Sequence, residues 1–214
     1  MFSPTQIVHV AKKAAAFAAR VLPVTVTYTV ELINDPSITE DGLLDTHERK
    51  IILNLAQLRP FTVDSFVDRP GTPPENMLTP DQKEKWGMIL KICSLTFHEM
   101  RHLYQVTEVR AYTLNKAYGR LVPQHESIDK CERWLKELTT YKLNENECTE
   151  VEKDADDFAY YMSNRYPFVN ELLKTNRRIG AFKRKYDKVL IDRQVVTPGQ
   201  ETLMDLVNGE DLPF

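Results

Sequence analysis

Apolar residues recur along the chain in two rhythms, and the switch between them sets the element order. Ile7, Val10, Ala14, Phe17 and Val21 return every three or four positions, which places them on one face of a helix. Ser3-Pro4-Thr5-Gln6 opens that helix, with serine as N-cap, proline in the first turn and glutamine three residues after the cap. Pro23 stops it. Over residues 24–32 the rhythm becomes strict alternation: Val24, Val26, Tyr28 and Val30 face one way, Thr25, Thr27 and Thr29 the other. That period is a half-buried strand. Asn34-Asp35-Pro36-Ser37 is turn chemistry. Residues 50–55 read as a second strand, expected antiparallel to the first, and residues 61–67 as a short third.

The helical rhythm then returns. Residues 68–80 hold Pro70, Pro73, Pro74, Pro80 and Gly71 and are expected to form a loop. Thr79-Pro80-Asp81-Gln82 is a second capping signature, and a long helix is expected from about 80 to 106 on Trp86, Ile89, Leu90, Cys93 and Phe97. Helices are also expected over 127–141 (Ile128, Cys131, Leu135, Leu138) and 147–164 (Val151, Ala155, Phe158, Ala159, Met162), with Pro167 ending the latter. Residues 168–191 read as a basic helix, and 196–214 as an acidic tail without a period. The order predicts an α+β fold, a small antiparallel sheet packed on a long helix with further helices around it. Residues 1–195 are expected to form a single domain.

Composition narrows the function classes. Mean hydropathy is −0.41 and charged residues make up 28%, with no apolar run of about eighteen residues to span a bilayer. The apolar run Ala14 to Ala19 is closed by Arg20 too early for an export signal. Net charge is −3, so no global field points to nucleic acid. Acids such as Asp187 and Asp192 interrupt the basic stretch 177–193, which reads as a solvated helix face. Cys93, Cys131 and Cys148 are odd in number and form no C-x-x-C pair, the usage of a reducing compartment, so the expected location is cytoplasmic.

The chemistry concentrates in His98-Glu99-Met100-Arg101-His102, within the long expected helix. Histidines four apart on a helix lie on one face and can point at one ion. Glu99 then flanks that ion without having to ligate it, the place for a base acting on a metal-activated water. A catalytic zinc takes a third protein ligand and leaves a fourth position open. Gln105 and Glu108 stand where the longer H-E-x-x-H-x-x-G-x-x-H motif needs glycine and histidine, so that arrangement is excluded. Downstream, Glu152-Lys153-Asp154-Ala155-Asp156 lies on an expected helix and offers a carboxylate instead. Glu147, Glu150, Asp154 and Asp157 are competing acids.

His98-Glu99-x-x-His102 followed by Glu152-x-x-Ala155-Asp156 resembles the gluzincin pattern of compact zinc metallopeptidase domains. The resemblance implies a zincin-like fold, Zn2+ held by His98, His102 and Glu152, and Glu99 as general base. It also implies Asp156 as an acceptor orienting a ligand imidazole, and a small Ala155 that lets two helices approach. An edge strand should border the cleft and receive an extended peptide, and residues 50–55 are the candidate. The implied substrate is a peptide or protein. The alternative is a non-proteolytic zinc-binding regulatory or interaction module on the same scaffold. Gln105 shares the ligand face and could serve the metal shell, and Arg101 could pair with an acid of the Glu152 helix. Tyr160 is the favoured donor to a developing oxyanion, with Tyr161, His125 and Arg165 as other candidates.

Overall fold

Reciprocal capping starts the first helix as the sequence predicts. Ser3 N–H donates to Gln6 Oε1 at 2.9 Å, and Gln6 N–H donates back to Ser3 Oγ at 3.3 Å. The computed structural model describes residues 2–24, 26–61, 79–119, 122–140 and 149–163. The expected strand over 62–67, most of the proline-rich loop, the basic helix 168–191 and the tail lie outside them.

Helix α1 (Pro4–Val21) buries Ile7, Val10, Ala11, Ala14, Ala15, Phe17, Ala18 and Val21. Phe17 meets Phe97 of the long helix with ring centroids 6.3 Å apart. Burying one such phenyl ring contributes roughly 1.5–3 kcal/mol.

Strands β1 (Thr29–Ile33), β2 (Gly42–Asp45) and β3 (Lys50–Asn54) form a three-stranded mixed sheet in the order β1-β3-β2. The alternation over 24–32 holds as burial: Val26 and Tyr28 pack on the core and Val30 is buried, while Thr27 and Thr29 are exposed. Ladder pairing begins only at Thr29. The expected antiparallel pairing is corrected: β1 runs parallel to β3, with Thr29 opposite Lys50 and Ile33 opposite Asn54. The cause is β2, which forms the antiparallel hairpin with β3 in place of β1. Its turn is fixed by the Asp45 carboxylate, which accepts from His47 N–H at 2.8 Å and Glu48 N–H at 2.9 Å. Arg49 completes the turn in the left-handed region at φ 57°.

Asn54, fully buried at the end of β3, holds the loop between β1 and β2. Its Nδ2 donates to the carbonyls of Asp35, Ile38 and Glu40 at 2.8, 3.0 and 3.3 Å. Its Oδ1 accepts from Asp35 N–H at 3.1 Å and Ala56 N–H at 3.2 Å. One side chain thus satisfies backbone groups that no ladder serves.

Helix α2 (Pro80–Tyr118) is 39 residues long and continues past the expected end near Val106. Beyond that expected end, Glu108, Val109, Ala111 and Tyr112 are all buried. The helix ends at Gly119, whose φ of 78° and N–H to Asn115 O bond at 2.8 Å make a left-handed C-cap. Helices α3 (Ile128–Thr140) and α4 (Glu150–Ser163) complete the described fold, and α1, α3, α4 and the sheet all pack on α2. The architecture is α+β. Among the described residues, no helix is long and apolar enough to cross a membrane.

Candidate metal centre

Two helices supply the centre. His98 and His102 lie one turn apart on α2. Thr149 caps α4, its Oγ1 accepting from Glu152 N–H at 3.2 Å, and this sets Glu152 in the first turn. Glu137 of α3 accepts from Val151 N–H at 2.9 Å and satisfies another open donor of that turn. The Glu152 carboxylate then reaches both rings, with Oε2 3.3 Å from His98 Nε2 and Oε1 3.3 Å from His102 Nε2. The two Nε2 atoms are 2.8 Å apart.

The outer ring nitrogens decide what this cluster can hold. His98 Nδ1 lies 3.1 Å from Asp156 Oδ1, and a carboxylate oxygen only accepts. His102 Nδ1 lies 2.8 Å from Gln105 Oε1, while Gln105 Nε2 donates to Val151 O at 3.0 Å and to Asp154 Oδ2 at 2.8 Å. Both imidazoles therefore carry their hydrogen on Nδ1 and aim Nε2 lone pairs inward, beside a carboxylate. Such a convergence of acceptors requires a cation. A proton on one ring is one way to supply it, and a metal ion is the other. Burial opposes charge on His98, yet bonds to Asp156 and Glu152 raise its pKa to about 10. Burial likewise opposes charge on Glu152, but bonds from His102 and His98 hold it well below the usual carboxylate range.

The spacing also fits an ion. Ligands at 2.0–2.1 Å from a tetrahedral metal stand roughly 3.3 Å from one another; both nitrogen–carboxylate distances match at 3.3 Å, while the two Nε2 atoms, 2.8 Å apart, would have to spread to admit the ion. Two imidazoles and a carboxylate suit zinc and its first-row neighbours. Among the described residues, His98, His102 and Glu152 are the group placed to hold a metal ion.

Glu99 is buried beside the cluster. Burial raises its pKa, with the nearby His102 and His98 opposing the rise. A carboxyl displaced upward is better matched to proton transfer near neutral pH. Glu99, His98, Asp156 and Tyr160 line a cleft of about 600 Å³ together with Asp41 and Gly42. A Cβ on Gly42 would sit 3.6 Å from Glu99 Oε1, so this backbone closely approaches the carboxylate. The strand bordering the cleft is therefore β2, at the edge of the sheet among the described residues; the candidate of residues 50–55 is corrected, because β3 lies between β1 and β2.

Other expected residues sort cleanly. Arg101 pairs with Asp154 of α4 at 2.7 Å, and Glu150 pairs with Arg133 at 2.9 Å, which removes both acids from the ligand set. Tyr161 is buried in the core. His125 is exposed in the loop before α3, where its N–H donates to Glu108. Glu147 and Arg165 lie outside the described residues. Asp41, Lys91 and Phe61 are cleft residues that the sequence did not single out. Lys91 pairs with Asp41 and lies 5.4 Å over the Phe61 ring, a constellation that carries no motif.

Comparison with protein-family models, with curated proteins and with solved structures gives no match.

Proposed function

We propose that this chain is a zinc-dependent metallopeptidase of gluzincin-like type. One observation supports the reading above the others. The ligand atoms of His98, His102 and Glu152 converge, and His98 lines a cleft that also holds Glu99. A zinc ion bound there would polarise a carbonyl and bring the pKa of a water toward neutrality. Glu99 accepts the proton from that water and returns it to the leaving amine. Asp156 and Gln105 hold the two imidazoles in the tautomer that binds metal. Tyr160, which lines the same cleft, would donate to the developing oxyanion. An extended peptide would lie along the edge that β2 presents among the described strands, adding backbone hydrogen bonds to the sheet. Cys93 and Cys131 are buried and unpaired, which fits a cytoplasmic setting.

A non-proteolytic zinc module would more naturally close its site with four protein ligands. Among the described residues, three protein ligands beside a cleft and a buried carboxylate favour catalysis. Metal analysis of protein purified without added zinc should find stoichiometric zinc that is lost in His98→Ala. Glu99→Gln should keep the zinc and lose at least about a hundredfold in cleavage of a peptide library. Equal cleavage by the two proteins would eliminate Glu99 as the base.

A further inference from the structure

Arg101 is fully buried immediately before His102. Its guanidinium donates to Asp154 through Nε at 2.7 Å and Nη2 at 3.2 Å. It lies over the rings of Tyr104 and Phe158, with centroids 4.8 and 5.3 Å away. Lys130 of α3 approaches the same carboxylate at 3.3 Å and lies 4.4 Å over Trp134. Burying such a cluster costs more in desolvation than an apolar contact would. Its connection to the metal centre is the bond from Gln105 Nε2 to Asp154 Oδ2.

That bond has a directional consequence. A glutamine side chain can turn either its oxygen or its NH2 toward a neighbour. Asp154 and the Val151 carbonyl are both acceptors, and both face Gln105 Nε2. A flipped amide would set its oxygen against two oxygens and its NH2 against His102 Nδ1. The His102 proton would then move to Nε2, where a metal must bind.

We propose that Asp154, anchored by Arg101 and Lys130, is a positioning residue that orients Gln105, keeps the His102 proton on Nδ1 and so sets the metal affinity of the centre. The proposal rests on the metal reading given above, and the experiment separates the two. Every partner named here for Asp154 is a donor, so in Asp154→Asn the new NH2 must face one of them. Zinc affinity is measured by chelator competition for wild type, Asp154→Asn, Gln105→Leu and the double variant. Each single change should weaken binding about ten- to a hundredfold. If Asp154 acts through Gln105, the double variant binds as Gln105→Leu alone does, within about twofold. Losses that multiply would mean that Asp154 acts on the fold in general, and would overturn the proposal. Wild-type protein that takes up no zinc would sink the metal reading and this proposal together. Should Asp154→Asn fail to fold, 15N imidazole spectra of the metal-free wild type decide the matter. His102 Nδ1 is expected to be protonated, and an unprotonated Nδ1 overturns the proposal without any variant.

Discussion

Replacing Asn54 with alanine should loosen the wall of the cleft while sparing the metal ligands. The side chain makes three donated and two accepted bonds, all to backbone groups between Asp35 and Ala56. At about 1 kcal/mol net per bond, the five together set a ceiling of about 5 kcal/mol. Residues 39 and 40 are exposed, so water can replace part of what is lost there. The bonds at 3.2 and 3.3 Å add little. The expected loss is about 3 kcal/mol, measured by urea unfolding followed through tryptophan fluorescence. Asn54→Asp should be worse than alanine at neutral pH, because a second carboxylate oxygen would face the three carbonyls that Nδ2 now serves. Hydrogen exchange should accelerate over residues 35–41 in both variants. Zinc affinity should stay within about twofold of wild type, since these five bonds all go to backbone between Asp35 and Ala56 and not to the ligand side chains. A loss below about 1 kcal/mol for alanine, or an aspartate variant as stable as wild type, would refute the reasoning.

Three further outcomes follow from the site. Bonds to Asp156 and Glu152 raise the His98 pKa against the opposing effect of burial, so a metal competes with a proton there. Apparent zinc affinity should therefore rise about tenfold per pH unit across the neutral range, and a pH-independent Kd by chelator competition would contradict this. Tyr160→Phe should lower kcat about tenfold or more in a peptide-cleavage assay, with KM and zinc content unchanged. Ala155 is fully buried one turn after Glu152, so Ala155→Leu should cost about 1–3 kcal/mol in thermal unfolding and weaken zinc binding as α4 is displaced.

The parts of this fold that were legible in the sequence are those fixed by local chemistry. The Ser3–Gln6 cap, the helical spacing around His98 and the acid one turn after Glu152 each act over three or four residues, and a short window exposes them. Strand direction was not legible, because it depends on whether another strand intervenes. Gly42-Leu43-Leu44-Asp45 is too short to alternate, and each of its residues is only half-buried, so it left no period to read. With β2 unseen, the two visible strands became a hairpin. The last turns of α2, past Val106, were not legible for a different reason. Glu108 reads as a surface acid until its partners, the backbone N–H groups of His125 and Glu126, arrive from beyond the helix.

The division of the metal ligands between two helices has a mechanical side. His98, Glu99 and His102 ride on one rigid rod about 59 Å long and cannot move apart. Glu152 alone comes from α4, fifty residues later in the chain. A bound ion is thus a latch that reports whether α4 is seated. By thermodynamic reciprocity, whatever draws α4 from α2 must loosen the ion, and whatever removes the ion must ease α4 away by the same free energy.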